Sequence, residues 1–202
     1  MQLTAAVVAV QGDVTEHAAA VRRAGAAHGH EVEVCEVRQS GHVPDADLLL
    51  MPGGESTTIS RHLCREGIAG EIRDHVAAGK PVLATCAGLI VAARDAKDNR
   101  VDELGLLDVT VDRNAFGRQT DSFEAPLDVT GLGDPFPAVF IRAPLIDGVG
   151  EGVEVLATWD DRPVAVRDGP VFGTSFHPEL TDDPRIHALA LFESETATLP
   201  RR

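Results

Sequence analysis

One stretch, residues 81–93, constrains the possible fold more than any other part of the sequence. It begins as a short apolar run after the break Gly79-Lys80-Pro81, which predicts a buried strand, and it ends as an alanine-rich run with high helix propensity. Cys86 lies between the two, with Gly88 two positions later. A strand that turns sharply into a helix at a cysteine predicts a thiol at the carboxyl edge of a sheet, where a helix N-terminus favours the thiolate. A buried core cysteine is the alternative interpretation of this stretch taken alone.

Apolar runs alternate with helical stretches along the rest of the chain. Strands are predicted over residues 4–10, 31–37, 47–51 and 138–142, and helices over residues 14–26, 56–65, 68–78 and 183–194. This alternation predicts an α/β fold in three layers, with a mostly parallel central sheet and helices on both faces. Short runs between residues 153 and 175 are separated by turns, which predicts additional antiparallel strands. The length fits one domain over residues 1–202.

Three polar or glycine-containing segments follow predicted strands and therefore fall at the carboxyl ends of the sheet. They contain Gln11, Gly53-Gly54 and Cys86. Ligands bind at this edge in parallel sheets, which favours a functional interpretation of Cys86. The two glycines allow a backbone N–H to point at an anion because they tolerate positive φ, and an ordinary turn with a Ser56 cap is the alternative. The spacing of a phosphate loop is absent.

The charge and cysteine content exclude several classes of protein. The chain has 32 acidic and 18 basic residues and a net charge of −14, which argues against nucleic-acid binding. We hypothesise that this acidic surface suits a cytoplasm of high salt concentration. The first ten residues have no basic n-region and are too short to span a bilayer, so we expect no membrane segment and a cytoplasmic protein. Cys35 and Cys64 form no CxxC pair with each other or with Cys86, and we expect both to be inert core residues.

The segment His177-Pro178-Glu179 follows the last predicted strand. Its histidine and glutamate are two positions apart, so on an extended segment their side chains point the same way. A carboxylate fixes the tautomer of a histidine, and the histidine activates a thiol. Alone this pair favours a structural role, but together with a strand-to-helix cysteine and a Gly-Gly loop it completes a nucleophilic site. The other histidines show no convincing metal spacing, and we predict no metal site.

At this point the sequence resembles a known family. Thr85-Cys86-Ala87-Gly88 together with His177-Pro178-Glu179 resembles the class I glutamine amidotransferases. Further motifs narrow the resemblance to the glutaminase subunits of pyridoxal 5'-phosphate synthase; they are Gln11-Gly12-Asp13-Val14 with Glu16-His17, Pro52-Gly53-Gly54-Glu55-Ser56-Thr57-Thr58, Arg113-Asn114-Ala115-Phe116-Gly117-Arg118-Gln119 with Asp121-Ser122-Phe123-Glu124, Phe140-Ile141-Arg142-Ala143-Pro144, and Gly173-Thr174-Ser175-Phe176 before the histidine. Ala84 departs from the glycine common in the family, which we expect to alter packing rather than chemistry.

The resemblance implies hydrolysis of L-glutamine to glutamate and ammonia through a Cys-His-Glu triad and a thioester. Cys86 would attack the amide carbon, His177 would transfer protons and Glu179 would orient His177. The N–H groups of Gly54 and Ala87 would form the oxyanion hole. The remaining residues that the resemblance places against glutamine are Glu55, Ser56, Arg113, Ile141 and Arg142, and either arginine suits the α-carboxylate.

The resemblance also implies a partner, a synthase subunit with a (β/α)₈ barrel fold that joins this chain in a hetero-oligomer and receives the ammonia. The stretch from Gln11 to His17 is our candidate for part of the docking surface, with a plain turn and helix as the alternative. We expect no cofactor, since neither Lys80 nor Lys97 lies in an obvious Schiff-base context. The competing hypotheses are an amidotransferase that serves another synthase, a non-catalytic regulatory protein on the same fold, and a cysteine peptidase or redox sensor.

Overall fold

The computed structural model describes residues 1–113 and 122–193. In chain order its strands are β1 (Gln2–Val8), β2 (Glu31–Val37), β3 (Leu48–Met51), β4 (Val82–Thr85), β5 (Ala93–Asp95), β6 (Leu107–Asp112), β7 (Phe123–Leu127), β8 (Phe136–Phe140), β9 (Leu145–Val149), β10 (Glu154–Trp159), β11 (Arg162–Asp168) and β12 (Val171–Thr174). Its helices are α1 (Val14–Ala27), α2 (Ser56–Arg65), α3 (Ile68–Ala77), α4 (Ala87–Ala92) and α5 (Arg185–Leu191), with a 3₁₀ turn at Pro178–Leu180.

The central sheet has seven strands in the order β10-β11-β12-β4-β3-β1-β2. The five strands from β12 to β2 pair in parallel, whereas β10, β11 and β12 pair antiparallel. The parallel strands β1, β3, β4 and β12 therefore end at the same edge of the sheet. The segments that follow these four strands carry the predicted site residues, so the topology brings them together at that edge.

Two apolar cores lie on the two faces of the central sheet. One packs β3 and β4 against α2, α3 and α4 and includes Leu49, Leu63 and Leu89. The other packs the opposite face against α1 and α5 and includes Leu50, Phe172 and Phe176. Alternate residues of one strand serve opposite cores, as the neighbours Leu49 and Leu50 do. This arrangement confirms the predicted three-layer α/β fold.

The predicted elements agree with the structure except at their ends. The strands at 31–37 and the helix at 56–65 have the predicted bounds, while the last helix is shorter than predicted and covers Arg185–Leu191. The strand predicted over 138–142 is wrong at its end: β8 stops at Phe140, and Arg142 adopts a φ of +43°. Sequence patterns missed β5, β7 and β9, which form a three-stranded and a two-stranded sheet with β6 and β8.

The expectation that Cys35 and Cys64 are core residues is wrong. Cys35 is only partly buried, on the edge strand β2, and Cys64 is exposed on α2. The helical pattern around Cys64 directs Ile59 and Leu63 inward, which leaves the next residue on the solvent side. Partial burial and the nearby Asp102 raise the pKa of the Cys64 thiol, so it stays protonated at neutral pH. Over the described ranges no helix is both long and apolar enough to cross a bilayer.

Candidate active site

Cys86 occupies a sharp turn between β4 and α4. Its φ of +50° and ψ of −108° are strained for a residue with a side chain. The turn is held by its own N–H, which donates to the Thr174 carbonyl at 2.8 Å, and by its carbonyl, which accepts from Ile90 N at 3.2 Å. A Cβ at Gly88 would lie 2.0 Å from the Met51 carbonyl oxygen, so α4 can approach β3 only with glycine there. The predicted strand-to-helix elbow is confirmed.

His177 and Glu179 lie at the end of β12, the strand next to β4. His177 Nδ1 and Glu179 Oε1 are 2.7 Å apart, and both side chains are buried. The backbone N–H of His177 donates to the Val139 carbonyl at 2.8 Å, which fixes the loop. Gly53 lies between the histidine and the cysteine, because a Cβ there would meet His177 Cε1 at 2.9 Å and Cys86 Cβ at 3.5 Å. The structure thus brings the thiol, the imidazole and the carboxylate together.

The sequence pattern predicted an extended segment from His177 to Glu179, but the structure shows a turn there. Glu179 lies in the 3₁₀ turn that begins at Pro178, whose fixed φ suits the first position of a helical turn. The turn folds the glutamate back so that its side chain reaches His177 Nδ1. The predicted pairing is therefore confirmed, but its geometric reason was wrong.

The environment of His177 favours its charged form. Burial lowers the pKa of this imidazole, but hydrogen bonds with Cys86 and Glu179, reinforced by their charges, outweigh burial and raise it to about 10. Burial raises the pKa of Glu179, while the hydrogen bond from His177 acts in the opposite direction. An imidazolium beside a thiolate is the protonation state that a cysteine nucleophile requires.

The Gly-Gly loop after β3 lies beside this group. Gly54 has a φ of +132°, a conformation that L side chains rarely adopt. Glu55, not Ser56, caps α2: its carboxylate accepts from Thr57 N at 3.2 Å and Thr58 N at 2.8 Å. Partial burial acts to raise the pKa of Glu55, but these hydrogen bonds lower it to about 2. The alternative of a Ser56 cap is therefore wrong, since the side chain of the preceding glutamate reaches the free N–H groups.

Arg113 joins the same loop from the end of β6. Its guanidinium donates to Ser56 Oγ and Thr57 Oγ1, each at 3.0 Å, and lies 3.4 Å from Glu55 Oε1. Asp98 Oδ2 is 3.3 Å from the same guanidinium. Three of the predicted substrate contacts, Glu55, Ser56 and Arg113, are thus neighbours. The rest of the predicted arginine loop, residues 114–119, lies outside the described residues.

The segment after β8 supplies the remaining predicted contacts. The carbonyl oxygen of Ile141 lies 4.0 Å from Cys86 Sγ. Arg142 is exposed and has a φ of +43°. The sharply bent backbone at Arg142 thus directly follows the residue whose carbonyl faces the thiol. Ala87, the first residue of α4, directly follows Cys86.

Within the described residues, one group of three side chains has its ligand-type atoms within 4.8 Å of one another: Asp13, His177 and Glu179. Asp13 Oδ2 lies 3.6 Å from His177 Nδ1, which already faces Glu179 Oε1 as a donor at 2.7 Å. Because a metal would compete with that proton, we interpret the three as a hydrogen-bonded ion-pair group.

Sequence patterns missed one buried polar residue near the site and misplaced another. His17, expected on a docking surface, exposes 0% of its area and lies against Thr85 and His187. The signal was present, because position 17 shares one face of α1 with the buried residues Ala20, Val21 and Ala24. His187 lies on α5 among buried apolar residues, and no sequence motif marks it.

The fold and the geometry at Cys86 together describe an α/β protein with a buried cysteine at a strained turn beside a histidine–glutamate pair. The model of the SNO glutamine amidotransferase family matches residues 7–195 of the chain. The chain therefore belongs to this family of glutamine amidotransferases.

Individual relatives agree with this assignment. The chain is 74% identical over 194 residues to a pyridoxal 5'-phosphate synthase subunit PdxT from Haloarcula marismortui, which covers 96% of this chain and 98% of the relative. It is 53% identical over 186 residues to a subunit of the same name from Methanosarcina acetivorans, and this match covers 90% of this chain and 93% of the relative. A solved structure described as a glutamine amidotransferase is similar with a TM-score of 0.82 and 46% identity, covering 92% of this chain and 95% of the other.

Proposed function

We propose that this glutamine amidotransferase hydrolyses L-glutamine at Cys86 and passes the ammonia to a pyridoxal 5'-phosphate synthase subunit. The observation that carries the proposal is the position of Cys86 at a strained elbow beside the buried His177–Glu179 ion pair. The sequence identity to relatives named as subunits of that synthase supports it as the enzyme that receives the ammonia. Lys80 donates to the Pro44 and Ala46 carbonyls and Lys97 pairs with Asp147, so we assign the pyridoxal chemistry to the partner.

In the first half of the reaction, the Cys86 thiolate attacks the side-chain amide carbon of glutamine. The carbonyl π electrons move to oxygen and produce a tetrahedral oxyanion. We propose that the N–H groups of Gly54 and Ala87 stabilise this charge, an effect worth roughly 3 kcal/mol per donor. The His177 imidazolium then donates its proton to the departing nitrogen, the C–N bond breaks, and ammonia leaves behind a thioester.

In the second half, the neutral His177 removes a proton from water as its oxygen attacks the thioester carbon. The C–S bond of the tetrahedral intermediate breaks, and glutamate leaves and loses its γ-carboxyl proton to solvent. The Cys86 thiolate is then paired again with His177, which keeps the proton taken from water as an imidazolium. Glu179 keeps the imidazole in the tautomer with Nδ1–H and stabilises each imidazolium.

We propose that the pocket for glutamine is formed by Glu55, Ser56, Arg113, Ile141 and Arg142. The α-amino group of glutamine suits the carboxylate of Glu55, which stays charged because its pKa is about 2. The α-carboxylate suits a guanidinium. Arg113 is already held by Ser56 and Thr57, so we assign it to the fixed wall of this pocket.

The partner would be a (β/α)₈ barrel that docks over the sheet edge in a hetero-oligomer. We propose that the exposed residues Gln11, Gly12, Thr15 and Glu16 belong to this surface. The reason for direct transfer is chemical, because ammonia released into neutral water is protonated and loses its nucleophilicity. Neither nucleic acid nor a membrane is part of this proposal, and we place the reaction in the cytoplasm.

The test measures glutamate release from glutamine by the full chain, with and without the synthase subunit. We expect activity in the wild type, a rise when the synthase is added, and loss with Cys86→Ala. Cys64→Ala is the matched control, since Cys64 is exposed near the end of α2 opposite to Ser56, and we expect it to retain full activity. Activity that depends on Cys86 but not on this synthase would assign the chain to another synthase, and absence of glutamine turnover would contradict the proposal.

A further inference from the structure

A group of buried polar side chains lies beside the second carboxylate oxygen of Glu179. Four elements supply it: His17 comes from α1, Thr85 from β4, Glu179 from the 3₁₀ turn and His187 from α5. His17, Thr85 and His187 expose 0% of their area and Glu179 only 3%. Buried polar groups in such number require partners, and the mechanism above uses only the glutamate.

The two ring nitrogens of His17 face different partners. Nδ1 lies 3.1 Å from His187 Nε2. Nε2 lies 3.1 Å from Thr85 Oγ1 and 3.4 Å from Glu179 Oε2. A neutral imidazole donates from one nitrogen and accepts at the other, so two arrangements of protons are available.

Only one arrangement gives every buried N–H of the two histidines an acceptor. With the proton of His17 on Nε2, this N–H faces Thr85 Oγ1 at 3.1 Å and lies 3.4 Å from Glu179 Oε2, and His187 donates its Nε2–H to His17 Nδ1. The unpaired atom is then His187 Nδ1, a bare lone pair that has no hydrogen-bond partner among the described residues. The opposite arrangement would bury an unpaired N–H on His187 and turn a lone pair of His17 toward a carboxylate. The first arrangement is therefore favoured.

The two oxygens of Glu179 have different surroundings. Oε1 accepts from His177 Nδ1 at 2.7 Å. Oε2 is buried and, in the part of the chain that the structure describes, has no hydrogen-bond partner. The Nε2 of His17, at 3.4 Å, is thus positioned to give this oxygen its donor. A donor at Oε2 as well as at Oε1 would keep the carboxylate from rotating away from the imidazole.

Burial, together with nearby positive charges, lowers the pKa of both histidines and keeps them neutral. Burial, followed by the nearby His187 and His177, lowers the pKa of His17 well below its usual value. Burial, followed by Arg23 on α1, lowers the pKa of His187 to about 3. Asp13, at the start of α1, faces the same region, with Oδ2 3.6 Å from His177 Nδ1.

We propose that His17 is a positioning residue of the triad, which orients Glu179 by donating its Nε2–H to Oε2, while His187 and Thr85 hold His17 in that tautomer. The inference rests on the proposed function, because it assigns a role behind the proposed triad. It extends the line of hydrogen bonds from Cys86 through His177 and Glu179 into α1. His17 touches neither the substrate nor the reacting atoms.

The first test compares His17→Leu with His17→Gln in the complete complex with its synthase. His17→Leu keeps the volume and removes the donor, and we expect kcat to fall roughly tenfold, the equivalent of one lost hydrogen bond to a charged group, while KM for glutamine is unchanged. A carboxylate that is no longer held in place should also make a weaker hydrogen bond to His177 and so lower the pKa of that imidazole, which should move the alkaline limb of the kcat/KM profile down by about half a pH unit or more. His17→Gln supplies an amide N–H near the position of Nε2. It should therefore recover most of the lost kcat and most of the shift in the pH profile.

The control is His75→Gln, because His75 is also buried, on α3, and its Nε2 lies 3.3 Å from the Pro81 carbonyl oxygen. This variant should alter the free energy of unfolding but not the pH profile. A folded His17→Leu variant with wild-type kcat and pH profile would overturn the inference. The proposed function fails separately, if the wild type itself shows no glutamine hydrolysis that depends on Cys86.

A second measurement does not depend on whether a variant folds. The ¹⁵N shifts of histidine-labelled wild-type protein distinguish the two neutral tautomers and the imidazolium. We expect His17 to be neutral with its proton on Nε2 at neutral pH. A proton on Nδ1, or a charged ring, would contradict the inference.

Discussion

The side-chain oxygen of Gln11, Oε1, accepts a hydrogen bond from the backbone N–H of Glu55 at 3.0 Å. This contact joins the segment after β1 to the Gly-Gly loop after β3, and Gln11 Cβ packs close to Gly54 as well. The conformation of the proposed oxyanion-hole residue Gly54 is therefore tied to an exposed segment that we assign to the docking surface. A partner that moves Gln11 would act directly on the Gly54 backbone.

The first prediction concerns this contact. Gln11→Ala frees the Glu55 N–H and loosens the loop, so we expect glutaminase activity to fall and its dependence on the synthase to weaken. The measurement is glutamate release with a titration of synthase. Gln39→Ala replaces an exposed glutamine outside the site and should behave as the wild type. Unchanged activity and unchanged stimulation in Gln11→Ala would show that the contact has no functional role.

The second prediction contrasts two glycine-to-alanine substitutions. In Gly88→Ala the new Cβ would lie 2.0 Å from the Met51 carbonyl oxygen, so α4 must move away from β3. We expect a loss of roughly 2 kcal/mol or more in the free energy of unfolding, together with loss of activity. Gly70→Ala adds a Cβ in open space on α3 and should instead stabilise the protein by about 0.5–1 kcal/mol. Urea denaturation measures both, and equal effects of the two changes would contradict the packing argument.

The third prediction concerns stability in acid. His187 has its pKa lowered from 6.5 to about 3 in the native state by burial and by Arg23, so the unfolded chain binds the proton first as pH falls. The contribution of neutral, buried His187 to the free energy of unfolding is therefore complete above pH 6.5 and is lost as pH falls toward 3. His187→Gln removes this titration and should reduce the slope of unfolding free energy with pH by up to about 1.4 kcal/mol per pH unit. Urea midpoints across this pH range give the slope, and parallel curves for the two proteins would rule the explanation out.

The fourth prediction concerns salt. The net charge of −14 opposes compaction through repulsion, and added ions screen that repulsion. We expect the free energy of unfolding to rise from low to molar KCl, and the relative from Haloarcula marismortui provides a protein for parallel measurement. Equal stability at both salt concentrations would remove the hypothesis of adaptation to high salt. Choline chloride at the same ionic strength serves as a control for specific cation binding.

Much of this protein follows from local sequence patterns. The alternation of apolar runs and helical stretches determined the α/β fold, because strands and helices have different periods. The elbow at Cys86 was also readable, since a buried strand, a small-residue turn and an alanine-rich run follow one another within residues 81–93. The ends of the strands then placed Gln11, Gly54 and Cys86 at one edge, because parallel strands all end on the same side.

Only the tertiary structure decided what surrounds the proposed catalytic residues. The 3₁₀ turn that brings Glu179 to His177, the Glu55 cap on α2 and the burial of His17 against His187 join parts of the chain that lack a shared local pattern. His17 and His187 are 170 positions apart, so no periodicity relates them. Sequence patterns determine which face of an element is buried, whereas the partner of a buried polar group depends on which elements pack together. Which elements pack together depends in turn on the packing of the whole core.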